Sequence, residues 1–295
     1  MRAESDPAKL HHLQALQNTF KILLNSFYGY LGFAQGHFAD FDAAARVTQI
    51  GRDLLKKMID WLTTRGARVI EVDTDGIYFV PPTKVELEDL QEHLAKELPA
   101  GIDVEIDEQF EAMLSYKAKN YALLTKDNDV IIKGGALKSR GLEKFQRVFL
   151  EQIIKMIMQE KPEKIADLRS EFDRKIRNRE WNIDMLMKTD TLQDSLEKYR
   201  AKIAGSTRNR AAAYELALAS GRNYRPGDQI SYYIKATPKK VPAYEAAKLA
   251  TEFDPENRDE NVDYYVGKLE DLMKKFRSLI STSSTPKQEN LALYE

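Results

Sequence analysis

The sequence predicts an α+β protein: antiparallel strands with packed helices through about residue 145, preceded by a long helix and followed by a mostly helical region. Three observations predict it. Short β-branched and aromatic runs between residues 68 and 137 alternate with turn signals. On either side, apolar residues recur every three or four positions. The region beyond Arg147 is rich in Lys, Arg, Glu and Leu, a composition suited to helices.

Residues 8–30 form the first expected helix, because Leu13, Leu16, Phe20, Leu23, Leu24 and Phe27 share one side and Gly29, Gly32 and Gly36 then break the run. A second helix runs from about Ala43 to Thr64, and Arg65-Gly66-Ala67 leads into two strands, Val69–Val72 and Ile77–Val80, joined by the tight turn Thr74-Asp75-Gly76. Pro81-Pro82 ends that hairpin and Val85–Leu98 reads as a third helix. Strands are expected over 102–109, 115–125 and 130–137, the last two joined by Lys126-Asp127-Asn128-Asp129. Beyond the next helical stretch, residues 229–235 read as a short strand after Pro226-Gly227, and 242–280 as helix. The Ser/Thr/Pro-rich stretch 281–295 reads as a flexible tail.

Composition narrows the chemistry. The 295 residues contain no cysteine, which excludes disulfides, zinc–thiolate sites and a thiol nucleophile. No apolar run approaches the roughly 20 residues of a membrane span, and the first residues lack the apolar stretch of a secretory signal, so a cytoplasmic location is expected. The net charge of −1 conceals a division: −8 over residues 1–112, +11 over 113–240 and −4 over 241–295. A basic middle fits a polyanion grip, and equally a solvated helical face of mixed charge. His11, His12, His37 and His93 are scattered and form no metal-binding spacing. A Gly-x-x-x-x-Gly-Lys-Ser/Thr loop is absent.

Asp73 and Asp75 stand at the hairpin tip, within Glu71-Val72-Asp73-Thr74-Asp75-Gly76. Two carboxylates so close repel one another unless a cation neutralises them, and oxygen-only ligands suit Mg²⁺. Taken alone the triplet is also ordinary turn chemistry. The first helix carries Lys21, Asn25 and Tyr28 at spacings of four and three, so a cation, an amide and a ring share one face.

Together these blocks resemble a known family. Lys21-x-x-x-Asn25-Ser26-x-Tyr28-Gly29 followed by Asp73-Thr74-Asp75-Gly76 is similar to motifs B and C of the family B DNA polymerases. Lys119-Asn120-Tyr121 resembles the family's Lys-x-Tyr element, Lys138–Glu143 its palm-to-thumb passage, and Ala45–Arg52 its palm helix. Pro226-Gly227-Asp228 and Glu252-Phe253-Asp254-Pro255 are weaker thumb landmarks. The resemblance implies a second fingers helix over 1–30, a palm over 31–145, a thumb over 146–280 and a tail over 281–295.

It also implies roles. Asp75 would be the Mg²⁺-bridging carboxylate and Asp73 the weaker ligand, in a two-ion mechanism that joins a dNTP to a primer 3′-hydroxyl. Lys21 would neutralise the triphosphate, with Asn25, Tyr28, Gly29 and Thr74 lining the nucleotide site. Lys117, Lys119, Tyr121, Lys138 and Arg140 would hold the primer–template backbone, and the basic thumb would grip duplex phosphates without reading sequence. A DNA-bound protein of this kind would sit with the nucleoid.

The pattern also departs from the family. Motif A, which supplies the other shared metal ligand, is missing, as are the exonuclease domain and the first fingers helix. One Asp-x-Asp hairpin cannot hold both ions, and without the motif A strand a sheet edge lies open. The expectation is therefore a truncated product or the small subunit of a split polymerase, inactive without a partner that carries motif A and the exonuclease. The alternative is a non-catalytic DNA-binding accessory subunit or inactive remnant. At the C-terminus, Gln288, Leu291, Leu293 and Tyr294 resemble a sliding-clamp-binding peptide, which implies a clamp as a further partner.

Overall fold

The structure, a computed structural model, describes residues 7–282 apart from Asp75, Lys84, Ser139 and Arg140. The chain divides into two compact units, Met1–Glu108 and Gln109–Glu295.

The first unit contains α1 (Pro7–Leu31), α2 (Phe41–Thr64), β1 (Arg68–Asp73), β2 (Gly76–Val80) and α3 (Leu87–Ala95). Asp40 starts α2 by accepting the Ala43 N–H at 2.9 Å, which satisfies one of the otherwise unpaired donors of the first turn. Gly66, at φ 87°, turns the chain after α2 toward β1, a backbone conformation that side chains with a Cβ disfavour. β1 and β2 pair antiparallel around a two-residue loop, with Asp73 opposite Gly76, Val72 opposite Ile77 and Glu71 opposite Tyr78. Thr74 has φ 58°, as a two-residue hairpin loop requires. A small core of Trp61, Leu62, Ala67, Leu90 and Leu94 joins α2 and α3 to the inner face of the hairpin, where Ile77 and Phe79 pack.

The expected strand over 102–109 does not form. Ile102, Val104 and Ile106 alternate with acids as a strand would, but no neighbouring strand takes up their backbone groups. Val104 instead packs on the small core, and the Ile106 N–H donates to the Gln91 side chain at 3.0 Å.

The second unit begins with a three-stranded antiparallel sheet, β3 (Ala112–Lys117), β4 (Asn120–Leu124) and β5 (Val130–Lys133). The single strand expected over 115–125 is thus a hairpin, broken at Lys119, which adopts φ 60°. After β5 come α4 (Gly135–Lys138), α5 (Lys144–Met158), α6 (Ile165–Arg177) and α7 (Ile183–Leu186). Next are β6 (Lys188–Thr191), α8 (Leu196–Ala204), α9 (Ala212–Ala219) and β7 (Gln229–Ile234). The unit closes with α10 (Ala243–Ala246), β8 (Ala247–Leu249), α11 (Val262–Lys275) and α12 (Arg277–Thr282).

α5 is the spine of this unit. Its Phe145, Phe149, Leu150, Ile153 and Ile154 are fully buried, and they recur at the helical spacing that places them on one stripe. Phe149 meets Phe172 of α6 at 4.9 Å between ring centres, and Phe145 meets Tyr265 of α11 at 6.0 Å. Glu143 caps α5 in a reciprocal bond pair with Gln146. The strand expected near 229–235 is the centre of a second sheet, ordered β6-β7-β8. Its flanking strands fall where helix alone was expected. β8 interrupts the 242–280 stretch, because Ala247–Leu249 pairs with Tyr232–Ile234. The weak thumb landmarks are its turns. Gly227, at φ 98°, donates its N–H to Leu192 O at 2.7 Å, and Phe253 packs edge-on against Tyr233 at 5.5 Å.

Candidate functional site

In the first unit the candidate residues lie on two elements. Lys21, Asn25, Tyr28 and Gly29 are all exposed along α1. A Cβ added at Gly29 would meet nothing within 4 Å, so the chain itself does not require glycine there. On the hairpin, Ile77 and Phe79 point into the core, and strand alternation therefore sends Tyr78, Glu71 and Asp73 to the opposite face. Asp73 is half-buried there, and its Oδ1 accepts the Thr74 hydroxyl at 3.2 Å. Asp75 lies outside the described residues.

Glu71 was not singled out from the sequence. The signal was present, since residues two apart in a strand share a face. Glu71 and Asp73 thus offer oxygen donors of the kind a hard divalent cation takes. Among the described residues no group of three or more His, Cys, Asp or Glu is arranged to hold a metal ion. The donor chemistry of this face fits Mg²⁺; the described donors do not amount to a full ligand set.

In the second unit the first sheet gathers cations at one end. Lys117 closes β3, Lys119 occupies the turn, Lys133 closes β5 and Lys138 ends α4, and all four are exposed. Lys133 stands opposite Tyr121 in the register, a neighbour that linear reading of the Lys-x-Tyr element missed. Tyr121 itself is only 3% exposed, so it belongs to the sheet's packing and supports the turn from below. The Asn120 carboxamide ties the turn to the start of α4: its Oδ1 accepts the Ala136 N–H at 2.7 Å and its Nδ2 donates to Ala118 O at 2.9 Å. Arg140 lies outside the described residues, as do Gln288, Leu291, Leu293 and Tyr294 of the tail.

The basic surplus of the middle region is partly paired. Asp194 collects Lys202 at 2.7 Å, Lys198 at 2.9 Å and Arg208 at 3.0 Å, and the Lys202 and Lys198 ammoniums hold its carboxyl down to about 2. Arg208 also lies over the Tyr214 ring, which stacks on Tyr199 at 4.3 Å. Burial, and then a hydrogen bond to Glu215, push the Tyr199 hydroxyl up to about 12. Arg177 pairs with Asp173, and Lys175 with Glu171, along α6. These cations build the fold as well as the surface charge. His11, His12, His37 and His93 are exposed, and no helix among the described residues is long and apolar enough to cross a membrane.

Against known proteins, residues 1–280 match the family described as DNA polymerase family B, and the chain belongs to that family. It is 27% identical over 274 residues to a DNA polymerase of Pyrococcus glycovorans, covering 90% of this chain and 34% of that protein. With a DNA polymerase of Archaeoglobus fulgidus it shares 32% identity over 168 residues, 56% of this chain and 21% of the relative. The solved family B DNA polymerase of Pyrobaculum calidifontis has a similar fold, with a TM-score of 0.66 at 23% identity, over 100% of this chain and 36% of that one. The chain spans about a third of the length of the curated relatives it matches.

Proposed function

We infer that this chain supplies the nucleotide-binding and primer-holding part of a DNA-directed DNA polymerase, with a fingers helix over 1–30, a palm over 31–145 and a thumb over 146–280. The observation that carries the reading is the family match over residues 1–280, within which Asp73 faces away from the core at the tip of a two-residue hairpin. The reaction is template-directed nucleotidyl transfer: the primer 3′-oxygen bonds to the α-phosphorus of a dNTP, and the bond to pyrophosphate breaks.

Each residue has a task in that step. Lys21 places a positive charge beside the triphosphate, where charge builds on the leaving group. Asn25 and Thr74 border the nucleotide, and Tyr28 presses on the minor-groove side of the new pair with Gly29 allowing close approach. Asp75 and Asp73 would hold Mg²⁺, which supplies activation of the 3′-hydroxyl and neutralisation of pyrophosphate when bound. Lys117, Lys119, Lys138 and Arg140 hold the primer–template through its phosphates, and Tyr121 fixes the turn that presents Lys119. Motif A and exonuclease functions come from a further polypeptide segment. The 288–294 peptide tethers the assembly to a sliding clamp.

A second reading has its own support. The second unit has an extensive core and the first only a small one, which suits a DNA-binding accessory protein that retains the basic region without turnover. Primer extension with Mg²⁺ and dNTPs separates the two. Synthesis that appears only when a chain carrying motif A is added supports the polymerase reading; DNA binding with no synthesis under any pairing supports the accessory one.

A further inference from the structure

Among the described residues, the large hydrophobic side chains left exposed all belong to the first unit. They concentrate on α1. Leu13, Leu16, Phe20, Leu23 and Phe27 are 40–60% exposed, and with the half-buried Tyr30 they keep a strict three–four spacing. That spacing is the seam of a coiled coil, in which each side chain enters a hole formed by four residues of a facing helix. A helix of this length is marginal in water without a packed face, so the uncovered seam leaves α1 short of its main source of stability. The Lys21, Asn25 and Tyr28 face lies about 140° round the helix from the seam, at 3.6 residues per turn. A partner on the seam therefore leaves that polar face open.

We propose that this seam is the docking face for one amphipathic helix of a second polypeptide chain. This rests on the polymerase reading, because the partner is the chain that corresponds to the part of the relatives lying outside the match. Three observations select it. The flanking positions Gln17, Thr19, Leu24 and Ser26 are uncharged, so the seam suits an apolar helix and not a charged surface. Two lysines, Lys9 and Lys21, are the fixed charges of α1, too few for the cationic face that draws a helix onto a lipid surface. A second copy of this chain could cover α1, but Phe41, Val47 and Ile50 on α2 and Val80 on β2 would stay exposed. A partner of the size left unmatched, about two-thirds of each relative, can cover all of them. Docking rigidifies α1, and through it the spacing of Lys21, Asn25 and Tyr28.

The test places a photo-crosslinking amino acid at Leu23 of the full chain in its own host. The expected adduct is a polypeptide whose peptides match the DNA polymerase family B region outside this chain's match. An adduct with a second copy of this chain, with lipid or with an unrelated protein overturns the proposal, and so does no adduct. The captured partner is then mixed with the full chain and with its Leu16→Glu/Leu23→Glu variant, whose second unit must show an unchanged unfolding transition. The proposal expects at least a tenfold loss of association in the variant. Synthesis and association that survive the double substitution overturn the docking face and leave the polymerase reading intact. Docking that the substitution abolishes, with no synthesis by the unsubstituted pair, supports the docking face and overturns the polymerase reading.

Discussion

The carbonyl oxygen of Lys119 stands almost on the spot where a Cβ would sit on Gly134, and the Asn120 Cα is 2.7 Å from the same point. Both Lys119 and Gly134 have positive φ, 60° and 86°, so the β3–β4 turn and the end of β5 interlock backbone against backbone. Gly134→Ala meets the steric cost of a left-handed conformation and a collision with rigid atoms, and should destabilise the second unit by at least about 2 kcal/mol. Urea unfolding read through a probe in that unit checks this. A loss under about 0.5 kcal/mol, the range of an ordinary surface change, contradicts it.

The same interlock presents Lys119 to solvent beside Lys117 and Lys133. If these lysines hold phosphates, Lys119→Ala should weaken primer–template binding a few-fold and reduce the slope of log affinity against log salt by about 1. Lys133→Ala should act in the same direction. Fluorescence anisotropy at several salt concentrations reads both quantities. An unchanged slope would mean that these lysines meet only water.

Lys21→Ala should lower the rate of a reconstituted reaction and raise the KM for dNTP. A charge-assisted contact is worth about 1.5–3 kcal/mol, or roughly tenfold to a hundredfold in kcat/KM. Steady-state primer extension gives the number, and DNA affinity serves as the control that should not move.

Asp194 predicts a pH dependence whose sign is set by its partners. Lys202 and Lys198 depress its carboxyl from 3.8 to about 2 in the folded chain. A depressed carboxyl stabilises the fold fully above its unfolded value and loses that contribution as pH falls through its folded value. The stability difference between the native chain and Asp194→Asn should therefore be complete at neutral pH, shrink below about pH 4 and vanish near pH 2. Paired urea titrations along that range test it; a difference that grows on acidification has the wrong sign.

Much of this fold was legible in the sequence because local patterns agreed with tertiary packing. The α5 stripe at Ile153 and Ile154 packs as its spacing indicated, and the hairpin at Asp73–Gly76 turns where its residues favour a turn. Misreadings arose where pairing over long range decides. Residues 102–109 alternate like a strand but have no partner strand. Ala247–Leu249 forms β8 because β7 offers an edge. The cationic end of the first sheet shows the same limit: Lys133 becomes a neighbour of the Lys-x-Tyr element only through the β4–β5 register. Tyr121 read as a contact residue, but burial decides its role and burial depends on α5 and the sheet together.

The exposed face of α1 was legible only in half. The spacing of Leu13 to Phe27 identifies an apolar stripe, and a stripe ordinarily implies a core. Coordinates were needed to find that the stripe of this helix is uncovered among the described residues while the rest of the chain buries its own.

The most direct measurement of the whole account is Mg²⁺-dependent primer extension by the chain joined to a partner carrying motif A, comparing native protein with Asp75→Ala. The account predicts at least a thousandfold loss of synthesis, with primer–template affinity unchanged, roughly 4 kcal/mol of lost transition-state stabilisation. Synthesis at an undiminished rate by the Asp75→Ala assembly would contradict it.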